Sequence, residues 1–136
     1  MYKRQNYDRR KIDKSEIQEI INEIKNNKLD GINVTVPFKN DVIPFLDMLS
    51  KESQITQSVN TIYKQDKKIV GHNTDIKGFE LSLKEIQFNL ENKIIFILGA
   101  GGVVPSIICA LEKLGVSKII VSNRTCLLYT SPSPRD

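Results

Sequence analysis

A chain of 136 residues, 40% hydrophobic and 26% charged, has the size of one domain or two incomplete ones and enough apolar side chain for a core. Its net charge of +4 is small and interleaved with acids, with no aromatic-plus-basic stripe, which excludes a nucleic-acid partner. No apolar run reaches the roughly 18 residues of a membrane span, and with charged residues directly after the basic start no signal peptide is expected.

The first predicted element is a helix over 13–26. Asp13 can cap it, with Glu16 three residues on completing a capping box, and Ile17, Ile20, Ile21 and Ile24 repeat at helical spacing. Asp30-Gly31 opens a strand over 31–36, rich in β-branched residues and ended by Pro37, which cannot donate to a ladder. A helix is expected over 39–50, with Val42, Phe45, Leu46 and Leu49 inward and Pro44 as a break or kink. Two strands, 58–63 and 68–72, flank Gln65-Asp66-Lys67 as a hairpin. A further helix over 75–87 puts Phe79, Leu83 and Ile86 on one side and links two domains.

The character then changes. KIIFIL at 93–98 is a continuous apolar run suited to a strand buried on both faces. GAGG follows at 99–102. A helix over 103–114 carries Val104, Ile107, Ile108, Leu111 and Leu114 and closes at Gly115. KIIVS at 118–122 is a second strand, so this part reads as one β-α-β unit of a doubly wound sheet. Of the two cysteines, Cys109 and Cys126, the first falls in the helix as a small buried hydrophobe. Their spacing gives neither a disulfide framework nor a metal site, and a reducing, cytoplasmic setting is expected.

Three motifs carry chemistry. In GINVTVPFK at 31–39, Asn33 and Thr35 alternate with Val34 and Val36, so both polar side chains point to one side of the strand. Lys39 follows at the mouth of that cluster, as a solvated residue or an acid/base. Val59-Asn60-Thr61 and Gly71-His72-Asn73-Thr74-Asp75 form a second cluster. Asp75 is a helix cap or the partner of Lys39 in sharing a proton. Asn73 and Thr74 suit a turn, and His72, the single histidine, reads as structural because no nearby acid orients it. In the third motif, Gly99, Ala100, Gly101 and Gly102 form a strand-to-helix turn that a pyrophosphate can approach. No acid lies ~20 residues on, where a ribose 2′-hydroxyl would be held. Asn123, Arg124 and Thr125 stand there instead, and a guanidinium with a hydroxyl suits the 2′-phosphate of NADP.

Taken in order, NVTVPFK at 33–39, VNT at 59–61, NTD at 73–75, GAGG at 99–102 and NRT at 123–125 resemble the shikimate dehydrogenase family over about residues 6–125. The resemblance implies that Lys39 and Asp75 are the catalytic pair. It implies that Asn33, Thr35, Asn60 and Asp75, with Lys39, meet shikimate or 3-dehydroshikimate, and that Asn123, Arg124 and Thr125 grip NADP. No metal, nucleic acid or membrane partner is implied. The expected fold is α/β: a substrate-binding and catalytic domain over 6–75, a linker helix over 76–92, and the first β-α-β unit of a Rossmann-type dinucleotide-binding domain over 93–125. Residues 1–5 and 126–136, where Ser131-Pro132-Ser133-Pro134 cannot continue a helix, are expected to be non-native ends of a truncated gene product. The family's Ser-x-Ser segment and late Gln lie outside the chain, and Val103, Val104 and Pro105 depart from its usual small or basic residues. Two other readings stay open: a sister enzyme acting on quinate or a related polyol acid, and a catalytically silent ligand-binding module on the same scaffold.

Overall fold

A computed structural model describes residues 6–124; the expectations for residues 1–5, Thr125, Cys126 and the tail to 136 fall outside that range. The first element begins with a 3₁₀ turn, Lys14–Glu16, in which Glu16 Oε2 accepts the Asp13 N–H at 2.7 Å. The helix α1 proper, Ile17–Lys25, follows. All four isoleucines of the stripe are buried, each contributing about 1.5–3 kcal/mol relative to exposure. The helix packs on a mixed sheet made of β1 (Gly31–Asn33), β2 (Met48–Leu49), β3 (Thr61–Gln65) and β4 (Lys68–His72), in the spatial order β1-β3-β4-β2. The core joins Ile17, Ile21 and Ile24 to Val34, Val42, Val59, Ile62 and Ile69. The expected hairpin is β3–β4, antiparallel, with Asp66 and Lys67 both at positive φ in its turn. Its first strand begins at Thr61 rather than at 58.

The helix expected over 39–50 is not formed. The chain there runs through turns, a 3₁₀ turn at Ile43–Phe45, and then β2, parallel to β4. Pro44 has no N–H for a helix ladder and sits in the first turn of the 3₁₀ segment. Asp47 takes the chain into the sheet instead: its N–H donates to Ile69 O at 2.9 Å and its carboxylate accepts the Ile69 N–H at 2.7 Å. The apolar residues still face inward, Val42 buried and Phe45, Leu46 and Leu49 against the core. The short helix α2, Lys51–Thr56, had no counterpart in the expectations. Its signal was Ser50, whose hydroxyl accepts the Ser53 N–H at 3.2 Å as an N-cap. Glu52, in its first turn, has its carboxyl held below the usual range by its own backbone N–H and by the Ser50 hydroxyl. The strand expected over 31–36 is also shorter, ending at Asn33, although Val34 adds one more bond to Asn60 O at 2.8 Å. The Val36–Pro37 peptide is cis.

The helix α3, Asp75–Glu85, leads into the β-α-β unit: β5 (Ile94–Leu98), α4 (Val104–Lys113) and β6 (Lys118–Ser122), the strands parallel and paired Ile94 to Lys118 through Leu98 to Ser122. α3 packs on α4 through Ile76, Phe79, Cys109 and Ala110, while Ile86, expected on the same side, is 68% exposed beyond the helix end. Burial on both faces of β5 is not found among the described residues. Ile95 and Ile97 are half-buried, whereas Ile94, Phe96 and Leu98 are exposed. Gly115 closes α4 at φ +74°. The architecture is α/β, a mixed sheet with its helix followed by a Rossmann-type β-α-β unit. Among the described residues no helix is long and apolar enough to cross a membrane.

Candidate active site

Lys39 stands in the turns that follow β1, on a pinned backbone. Its carbonyl accepts the Val59 N–H at 2.8 Å, Phe38 N–H donates to Thr35 O at 3.0 Å, and the Asn40 amide donates to Gln57 O at 2.6 Å. Phe38 packs against the core. The lysine side chain therefore leaves a fixed base, and it reaches Asp75, 36 residues on. Lys39 Nζ donates to Asp75 Oδ2 at 2.7 Å.

Asp75 is the first residue of α3, where a carboxylate is favoured by the helix N-terminus. Its second oxygen accepts from Asn60 Nδ2 at 2.8 Å. Asn60 is buried at the end of the turn before β3, and its amide is filled by protein partners. Nδ2 also donates to Thr74 Oγ1 at 3.0 Å, and Oδ1 accepts from Thr74 N at 3.0 Å and Thr61 Oγ1 at 3.0 Å. Asn33 joins the edge of this network, donating to Thr61 Oγ1 at 3.3 Å and Asn60 O at 3.4 Å. Thr35 lies exposed beyond the end of β1. The Lys39 and Asp75 side chains are 15% and 23% exposed. The pair is thus mostly removed from water yet open on one side, and its charge-assisted hydrogen bond has a short, strong geometry. An ammonium held this way can give a proton to an oxygen that arrives at the open side, while the carboxylate keeps it oriented.

His72 ends β4 half-buried, its carbonyl accepting the Asn60 N–H at 3.1 Å. Its imidazole makes no hydrogen bond to Lys39, Asn60 or Asp75. Burial pushes the Cys109 thiol up, as suits a packing residue rather than a nucleophile. Among the described residues no three His, Cys, Asp or Glu side chains cluster as a metal site.

The glycine turn sits beside this cluster. A methyl placed on Gly102 would come to 4.0 Å from Val36 Cγ2, on the loop that carries Lys39. One on Gly99 or Gly101 would meet nothing within 4 Å, so the turn is bordered by open space on the side a side chain would occupy. Gly99 has φ +104° and donates its N–H to Ser122 O at 2.7 Å, tying the end of β5 to that of β6. α4 begins two residues after the turn, with Pro105 in its first turn and no side-chain cap among the described residues. At the start of α4 the Val104 N–H is taken by Gly101 O and the Ser106 and Ile107 N–H groups by Val103 O, so what the turn offers a phosphate is the open space beside its glycines. Ala100 belongs to the same turn, and Asn123 and the exposed Arg124 lie just beyond β6.

One residue of this region has a part that its sequence position does not announce. Asn73, legible only as a turn former, is fully buried. It accepts the Asp75 N–H at 2.9 Å and donates to Ser106 at 2.9 Å, Ser58 O at 3.1 Å and Thr56 at 3.2 Å. The three acceptors of its Nδ2 lie 15 to 33 residues away, beyond the reach of local pattern.

Comparison with known proteins finds one family repeatedly. The family model for the shikimate dehydrogenase substrate binding domain matches residues 3–62. A shikimate dehydrogenase (NADP(+)) of Pelagibacter ubique is 57% identical over 119 residues, which are 88% of this chain and 45% of the relative. The crystal structure of shikimate dehydrogenase from Aquifex aeolicus superposes with a TM-score of 0.77 at 40% identity, covering 84% of this chain and 42% of that one. The enzyme of Thermus thermophilus in complex with NADP(H) and shikimate gives a TM-score of 0.70 at 32% identity, over 79% and 40% of the two chains. The chain spans less than half the length of these relatives.

Proposed function

We propose that this chain, which belongs to the shikimate dehydrogenase family, carries the substrate-binding and proton-transfer half of an NADP-dependent enzyme that interconverts shikimate and 3-dehydroshikimate in the cytoplasm. The observation that carries the reading is the 2.7 Å contact between Lys39 Nζ and Asp75 Oδ2, with Asn60 fixing the other carboxylate oxygen. In this reading residues 6–75 are the catalytic unit, 76–92 the link, and 93–125 the start of the dinucleotide-binding unit.

When bound, the nicotinamide supplies or accepts the hydride at the substrate carbon. As hydride reaches the C3 carbonyl, charge builds on its oxygen, and the Lys39 ammonium neutralises that charge by donating a proton. Asp75 holds the ammonium in line and meets a substrate hydroxyl at its open side. Asn33 and Thr35 offer amide and hydroxyl groups to the remaining oxygens, and Asn60, named with them by the resemblance, serves the substrate by holding the Asp75 carboxylate, its own amide being filled. Gly99, Ala100, Gly101 and Gly102 give the pyrophosphate room at the start of α4, and Arg124, with Asn123 and Thr125, receives the 2′-phosphate. A guanidinium at that position favours NADP over NAD.

The test is an enzyme completed to the length of its relatives. It is expected to oxidise shikimate with NADP and to use quinate and NAD poorly. Arg124→Ala should raise KM for NADPH and leave use of NADH nearly unchanged. A preference for quinate with NAD would establish the sister-enzyme reading. Absence of any turnover with Lys39 and Asp75 intact would establish the silent binding module.

A further inference from the structure

Asn73 is a fully enclosed polar side chain near the candidate site, and what it holds is the backbone of Asp75. Its Oδ1 accepts the Asp75 N–H at 2.9 Å, an Asx-type turn that sets the direction in which α3 starts. Its Nδ2 faces three acceptors: Ser106 Oγ at 2.9 Å, Ser58 O at 3.1 Å and Thr56 Oγ1 at 3.2 Å. Thr56 ends α2, Ser58 leads into β3, and Ser106 is in the first turn of α4. Ser58, Asn73 and Ser106 are at 1%, 0% and 0% exposure.

A helix start needs no such device. An exposed Asn, Ser or Asp would cap α3 equally well, whereas burying an amide costs free energy unless all its groups are paired. Here the pairing is complete, and it fixes the amide plane from two sides. The Asp75 N–H therefore meets an acceptor that cannot turn away. The Asp75 carboxylate reaches Lys39 on one oxygen and Asn60 on the other, so the direction of its first bond decides whether both contacts can be made together.

We propose that Asn73 is a positioning residue for the Lys39–Asp75 pair: it orients Asp75 through the Asp75 N–H and is itself anchored by Ser58 and Thr56. This rests on the catalytic reading of the pair given above. The two N–H groups of the amide have three acceptors, so the loss of Ser106 alone leaves it satisfied. The contact to Ser106 is the shortest of the three at 2.9 Å, but the other two suffice to fill both N–H groups without it.

The experiment is a double-mutant cycle in the completed enzyme, with hydrogen exchange at the Asp75 amide as a readout independent of turnover. Asn73→Ala is expected to lower kcat roughly tenfold, within the ~10²-fold that a misplacement of about 1 Å can cost. In an Asp75→Asn background the same substitution should have almost no further effect, because its route to the chemistry is already cut. Asn73→Ser should retain more kcat than Asn73→Ala, since a serine hydroxyl can still accept the Asp75 N–H. Ser106→Ala should stay within about twofold of the parent, because the amide keeps two acceptors. Faster exchange of the Asp75 amide should accompany the loss in Asn73→Ala.

Additive effects of Asn73→Ala and Asp75→Asn would overturn the proposal, as would an unchanged Asp75 amide or a fall in Ser106→Ala as large as in Asn73→Ala. If Asn73→Ala does not fold, Asn73→Ser carries the same cycle. If neither folds, the role is structural and the proposal falls. An unmutated enzyme without activity on shikimate would sink the functional reading alone, and the amide exchange would still decide whether Asn73 orients Asp75.

Discussion

Lys39 keeps an ammonium about 2.7 Å from a carboxylate in a site only partly open to water, and its backbone is held by Val59 rather than by its own side chain. Removing the ammonium should therefore cost chemistry more than fold. Lys39→Ala in the completed enzyme is expected to lower kcat by a factor on the order of 10²–10⁴, the usual worth of a positioned acid/base. Substrate affinity should change far less, since the charge it neutralises develops mainly in the transition state. Steady-state kinetics decide the matter; near-normal turnover would remove Lys39 from the mechanism. At this scale the sequence was informative where chemistry and motif coincide. Lys39, Asp75, Asn60 and Asn33 were singled out from type and order, and they meet in space. The buried amide of Asn73 was not legible, because its partners Thr56, Ser58 and Ser106 belong to three other segments and carry no spacing that a local reading detects.

Elements were legible in proportion to how far local pattern decided them. α1, the hairpin β3–β4 and the β-α-β unit rest on strong periodicity and on turn residues, and each formed close to its expected bounds. The segment 39–50 misled because inward-facing Val42, Phe45, Leu46 and Leu49 fit a helix pattern, while Pro44 and the pull of an open sheet edge favoured a 3₁₀ turn and β2. β2 lies against β4 next to Gly71, whose missing side chain makes the close packing possible. A methyl there would approach Leu46 Cδ1 to 2.5 Å, Val59 Cγ2 to 3.0 Å and Leu49 Cδ2 to 3.1 Å. The end of Leu46 can rotate away, but Val59 is fully buried and cannot. Gly71→Ala should destabilise by about 1–3 kcal/mol, the range for overpacking. Gly78, inside α3, has nothing within 4 Å of an added methyl and a helical backbone. Gly78→Ala should stabilise by roughly 0.5–1 kcal/mol. Urea denaturation of the two variants of one protein gives opposite signs if this packing is right; a neutral Gly71→Ala would show that β2 is not seated against β4 as described.

Across the whole molecule the two sheets differ in how fully they are covered. The mixed sheet carries α1 over a continuous core. The β5–β6 pair has one face half-buried, with Ile95, Ile97, Ile119 and Val121, and the other presents Ile94, Phe96, Leu98 and Ile120 at 66%, 56%, 82% and 38% exposure. KIIFIL announced strand and apolarity, and an unbroken apolar run calls for cover on both faces. The second cover is what no reading of 93–98 itself can provide, since it depends on which segments pack there. An apolar face on a parallel pair with open edges is a site of self-association, and a net charge of +4 gives little repulsion to oppose it. The 136-residue chain is therefore expected to associate at micromolar concentration, with light scattering that rises with concentration and a broad thermal transition. Phe96→Lys should suppress the association without loss of helix signal in circular dichroism, because the side chain it replaces touches no core cluster. The completed enzyme should not respond in the same direction: if added chain covers this face, a lysine at 96 buries a charge there and lowers stability. A monomeric chain with a sharp, concentration-independent transition would contradict the argument, and so would a Phe96→Lys substitution that left the association unchanged.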